Sequence, residues 1–163
     1  METRTIKTDL KAENRTASGY AILFNTPATV TGERAKPFTE VVRPGAVNLA
    51  PDLRLLWSHD TANVLASAKS GTLQIRSDDK GIFFEASLPE SADREREALA
   101  RGDVDGMSFG FQVRKDKWDG NTRELLDVYV PEISFVAFPA YETHANIRSK
   151  NLLRLQLAEK ELV

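Results

Sequence analysis

The sequence predicts a mainly β fold with some α: a mostly antiparallel β domain with one or two helices, closed into a barrel. Three observations lead there. Short apolar or β-branched runs recur between Gly, Pro, Asn and Asp punctuation, and only one internal stretch carries strong helix signals. The chain has 163 residues, the size of a single core. Many short strands must therefore lose their edges within one domain.

Ala17 to Phe24 is an apolar run closed by Asn25-Thr26-Pro27, which reads as a strand and a turn. Polar residues from Thr29 to Lys36 lead into the β-rich run Phe38 to Val42. Arg43-Pro44-Gly45 stops that run, since proline presets φ and glycine supplies the turn. Ala46 to Leu53 suits a short helix, and Leu55-Leu56-Trp57 reads as a buried strand end delivering Ser58-His59-Asp60. Val64 to Ala68, Thr72 to Ser77 and Ile82 to Leu88 follow as an antiparallel meander, with connections at Ser70-Gly71 and across Ser77 to Gly81.

Pro89 to Arg101 changes character. Ser91 suits an N-cap, Glu95 and Glu97 fall early, and Ala92, Ala98 and Leu99 form an apolar stripe before Gly102. Val104 to Val113 and Glu124 to Tyr129 read as strands joined across Lys115 to Thr122, with Asp119-Gly120-Asn121 at the turn. Glu132 to Phe138 forms a separate strand after Pro131. Asn151 to Val163 places Leu152, Leu153, Leu155, Leu157 and Leu162 among charges, the pattern of a helix with one apolar side. That side suits docking on a partner as well as packing on its own domain. The expected division is a domain over 1–148 and a C-terminal amphipathic helix or tail over 149–163.

Apolar residues make up 41% and charged residues 28%, the balance of a chain that folds in water. No stretch approaches the roughly 18 consecutive apolar residues of a membrane span, and Met1 to Asn14 has no apolar signal core. No membrane association is expected. Cysteine is absent, which removes disulfides, thiolate metal sites and thiol nucleophiles. A net charge of −2 with interspersed signs leaves no basic footprint for nucleic acid. Neither a cofactor nor a metal is expected.

Two histidines exist, His59 and His144. His59 stands where an apolar strand gives way to polar residues, a position suited to a cleft, although such a histidine is often only structural or exposed. Ser108 lies in Gly106-Met107-Ser108-Phe109-Gly110, where glycines permit close approach of a substrate chain. Serines between glycines are also common in turns. Glu132 opens an apolar run, and a buried carboxylate there needs a partner.

Read together, these pieces resemble the caudovirus prohead serine protease family across roughly Gly19 to Ile147. The elements are Gly19-Tyr20-Ala21 with Phe24-Asn25, Val42-Arg43-Pro44-Gly45-Ala46, Leu55-Leu56-Trp57-Ser58-His59-Asp60, Asp79-Lys80-Gly81-Ile82, Gly106 to Phe111, and Glu132-Ile133-Ser134-Phe135-Val136 followed by Phe138-Pro139-Ala140. By resemblance, the His-Asp histidine is His59, the serine of Gly-x-Ser-x-Gly-Phe is Ser108, and the acid opening Glu-x-Ser is Glu132. The family's relation to herpesvirus assembly proteases implies their fold, a β-barrel surrounded by helices. Val64-Leu65-Ala66-Ser67 departs from the glycine and basic residue that the family commonly places after its His-Asp pair. The family's long C-terminal extension is short here, which fits a processed or truncated form.

The resemblance implies a serine endopeptidase of head maturation, working inside the prohead in the bacterial host cytoplasm. Its substrates would be scaffold and the delta segments of the major capsid protein, and itself; the portal and a second copy of the chain are further partners to consider. His59 would take the Ser108 proton and Glu132 would orient the imidazole. Asp60 ranks below Glu132 because adjacent side chains of an extended segment point to opposite faces. His144 is the other alternative, set in the polar run Glu142-Thr143-His144. The competing reading is a catalytically inactive capsid-assembly or scaffold protein with the same fold. A metal-dependent hydrolase fits poorly, having neither His-x-x-x-His nor cysteine to draw on.

Overall fold

Alternation along two stretches organises the molecule. Met107, Phe109, Phe111, Ile133 and Phe135 are each at most 1% exposed, and they alternate with Ser108, Gly110, Glu132 and Ser134. Successive strand residues point to opposite faces, so the apolar set goes to the core and the polar set to the other face. Each fully buried Phe contributes about 1.5–3 kcal/mol by leaving water, which holds the register that presents the polar set.

The structure, a computed structural model, describes residues 1–31 and 36–137. Its strands are β1 (Glu2–Lys7), β2 (Lys11–Glu13), β3 (Thr16–Leu23), β4 (Ala28–Val30), β5 (Phe38–Val42), β6 (Val47–Trp57), β7 (Asp60–Ser67), β8 (Leu73–Ser77) and β9 (Gly81–Ser87). Helix α1 (Asp93–Arg101), β10 (Gly106–Asp119) and β11 (Thr122–Val136) follow. One sheet holds seven strands, in the order β1-β10-β11-β5-β4, with β6 and β7 attached through β11. The other has the order β2-β3-β9-β8. The core lies between them, where Phe84 of β9 meets Phe135 edge-on with ring centroids 5.8 Å apart.

β11 is the hub. One edge pairs antiparallel with β10, while the other pairs parallel first with β5 and then with β6. Pro131 lies inside this strand rather than between two. The β10 ladder slips between Gly110 and Gln112 and the β6 ladder between Val130 and Glu132, so the proline, which has no N–H, sits at a bulge where none is required.

The mainly β character is as expected, but the closed barrel is not found among the described residues. Among the described residues the strands form two open sheets: β1 pairs only with β10, and β4 only with β5. α1 is the single helix among the described residues. The stretch expected as a short helix, Ala46 to Leu53, runs instead into β6, because parallel pairing with β11 outweighs its weak local preference. The expected meander is divided: β7 pairs with β6 in the large sheet, whereas β8 and β9 form a hairpin in the small one. Ser91 does not cap α1, whose N-cap is Ala92 without a side-chain bond; Gly102 closes its other end at φ 75°. The turn at Gly120-Asn121 is as expected, although its strands run through Lys115 to Asp119. The tail over Asn151 to Val163 lies outside the described residues.

A buried ion cluster fastens the large sheet across its width. Arg4 of β1 donates through Nε to Glu40 Oε1 of β5 at 2.7 Å, and Arg123 of β11 reaches Glu40 Oε2 at 3.3 Å and Asp116 Oδ2 at 2.8 Å. The Glu40 side chain is only 1% exposed. Burial pushes the Glu2 carboxyl up, but hydrogen bonds and charge from Arg123 and Arg4 outweigh it and hold the group below its ordinary value.

Candidate active site

Three strands deliver the polar groups. β10 places Ser108 directly across from Ser134, and Gly110 across from Glu132, on β11. Glu132 and Ser134, two residues apart, share a face. On the opposite edge of β11, β6 ends at Trp57 beside Phe135, and the two-residue turn Ser58-His59 leads back into β7. Both turn residues are left-handed, with φ of 52° and 58°. Hairpin turns of this hand normally use Asn and Gly, and non-glycine residues there cost about 1–2 kcal/mol each. Ser58 N–H donates to the Phe135 carbonyl at 2.9 Å, and His59 N–H donates to Ser134 Oγ at 3.2 Å. These bonds hold the unusual turn against β11.

The turn brings the imidazole over the polar face. His59 Nε2 is 2.7 Å from Ser108 Oγ, and Nδ1 is 2.6 Å from Glu132 Oε1. Ser134 Oγ donates to Glu132 Oε2 at 2.8 Å. A carboxylate only accepts, so Nδ1 carries the proton, and in the neutral ring the Nε2 lone pair faces the Ser108 hydroxyl. Such a nitrogen can take the hydroxyl's proton as the oxygen becomes a nucleophile. Ser108 is 0% exposed, while the His59 side chain keeps 31% exposure, so the group meets solvent through the imidazole.

The chain belongs to the caudovirus prohead serine protease family. The family's sequence model matches residues 2–156 and so includes every group just described. This membership makes the chain a serine protease and implies capsid-related substrates within the phage prohead. No curated protein and no solved structure gives a significant match.

The three residues singled out in this family member's sequence, Ser108, His59 and Glu132, therefore lie in one hydrogen-bonded row. Asp60 does not join it: its carboxylate accepts from the Ala62 N–H at 2.9 Å, at the exposed start of β7. His144 lies outside the described residues. Among the described residues, no group of three or more His, Cys, Asp or Glu side chains is placed to hold a metal ion, and no helix is long and apolar enough to cross a membrane.

Two contributors escaped the sequence reading. Ser134 was legible in principle, because a serine two residues after an acid in a strand must share its face. Gly110 was credited with letting a substrate approach, yet a Cβ on it would lie 2.6 Å from Glu132 Oε1, so its bareness makes room for the carboxylate. Gly110→Ala is accordingly expected to keep the fold, since a flexible carboxylate can swing aside, but to lower kcat about 100-fold by displacing the acceptor of the Nδ1 proton. Peptide cleavage and thermal melting measured on the same sample check both halves of this expectation.

Proposed function

We propose that this chain is a Ser-His-Glu endopeptidase of head maturation. Ser108 is the nucleophile, His59 the general base and then acid, and Glu132 the group that orients the imidazole and balances its charge. The observation that supports the reading is the hydrogen-bonded row Ser108–His59–Glu132, with 2.7 Å and 2.6 Å separations. Ser108 Oγ attacks the scissile carbonyl as Nε2 takes its proton. The same proton then passes to the departing amine, leaving an acyl-enzyme. Water, deprotonated by Nε2, releases the acid product and restores the serine.

The proposed substrates are the delta segment of the major capsid protein, scaffold, and this chain itself, met inside the prohead. Confinement raises effective concentration, so weak intrinsic affinity suffices there and activity is low in dilute solution. The test is labelling with a fluorophosphonate followed by peptide mapping. Modification at Ser108, lost in His59→Ala, is the expected result. A native chain left unlabelled would favour an inactive assembly protein instead.

A further inference from the structure

Ser134 has the geometry of a group acting on two others at once. It is 0% exposed and stands directly across the ladder from Ser108. Its Oγ is 3.2 Å from the His59 backbone nitrogen and 2.8 Å from Glu132 Oε2. A backbone N–H only donates, so the oxygen must accept there, and its single proton is left for the carboxylate. The two Glu132 oxygens are thereby divided: Oε2 takes the Ser134 hydroxyl, and Oε1 is held for His59 Nδ1 at 2.6 Å.

We propose that Ser134 is a positioning residue that fixes His59 at both ends, the backbone of its turn directly and the ring through Glu132. The inference rests on the reading of Ser108, His59 and Glu132 given above. The turn is the part that most needs such a hold, because Ser58 and His59 both sit at positive φ. Residues in that region persist only when their surroundings over-determine them. Without the hydroxyl, the His59 N–H and Glu132 Oε2 lose the bonds they make here. The turn then relaxes, and the carboxylate rotates about its free end. A ring displaced by as little as an ångström forfeits much of its effect on the nucleophile.

The test uses the full chain and a fluorophosphonate probe, comparing second-order labelling rates at Ser108 for native protein, Ser134→Ala, Glu132→Gln and the double variant. Ser134→Ala is expected to label about 10- to 100-fold more slowly and to lose the sharp downfield proton resonance of His59 Nδ1–H. In the double variant the loss should fall short of the product of the single losses, because part of the Ser134 effect passes through Glu132. Native rate and resonance in Ser134→Ala would overturn the inference while leaving Ser108 the nucleophile. A native chain that never labels would sink the underlying site reading and this inference with it. Should Ser134→Ala fail to melt cooperatively, near-isosteric Ser134→Cys takes its place; an intermediate rate supports the role and a native rate refutes it.

Discussion

Replacing Ser108 with alanine is expected to lower peptide-bond cleavage by a factor on the order of 10⁴ to 10⁶, because on the proposed mechanism removing the nucleophile removes covalent catalysis entirely. The fold should survive. The substitution deletes one hydroxyl whose partner is His59 Nε2 at 2.7 Å, and losing such a bond costs about 1 kcal/mol. For a chain of this size that lowers the melting temperature by about 2–4 °C. Cleavage of capsid protein co-assembled with the variant, followed by mass spectrometry, measures the first effect, and calorimetry the second. Native cleavage by the variant would remove Ser108 from the mechanism.

The largest effect on stability is expected at Glu40. Its carboxylate receives Arg4 at 2.7 Å and Arg123 at 3.3 Å with almost no exposure. Glu40→Ala leaves two largely buried guanidinium groups short of a counter-charge, and breaking a buried pair from one side costs about 3–5 kcal/mol. The midpoint of thermal unfolding should fall by about 10 °C. The same cluster gives the native chain an acid limit. The Glu2 carboxyl is held below its ordinary value of 4.5 by Arg123 and Arg4 against the opposing effect of burial. Its contribution is therefore present above that ordinary value and lost as pH falls through the lowered one. Chemical denaturation across the acid range should show native stability declining there, and Glu2→Gln should flatten part of the decline. A Glu40→Ala midpoint within a degree or two of native would show that the cluster has a well-solvated alternative.

The sequence made the components of the site legible but not their support. His59 was readable because an apolar run, Leu55-Leu56-Trp57, stops at it, and Ser108 because glycines bracket it. Neither signal is strong alone, and their order along the chain gave them weight. The divided role of Glu132 was only half readable: Ser134 shares its face by spacing alone, but the approach of His59 to the other oxygen depends on β6 pairing with β11, a matter of ladder register. Local rules failed where a distant strand decided the outcome. Ala46 to Leu53 has no strong preference of its own and became strand through pairing with β11. Pro131 argued for two strands until the coincident slips in both ladders supplied a place that needs no N–H. The helix boundary at Gly102 was legible because a left-handed C-terminal residue is a local demand.

β11 also determines when the site can exist. The bonds that assemble it span 49, 73 and 75 residues, and the strand common to Ser108's strand and to the one delivering His59 is the last of the described strands to be synthesised. Before β11 emerges from the ribosome, β10 and β6 have no shared neighbour among the described strands, and the proposed nucleophile and its base belong to separate pieces of chain. Such long-range pairing places folding among the slow, non-local topologies. On the proposed mechanism, hydrolytic capacity therefore arrives with the completed sheet rather than accumulating as the chain grows.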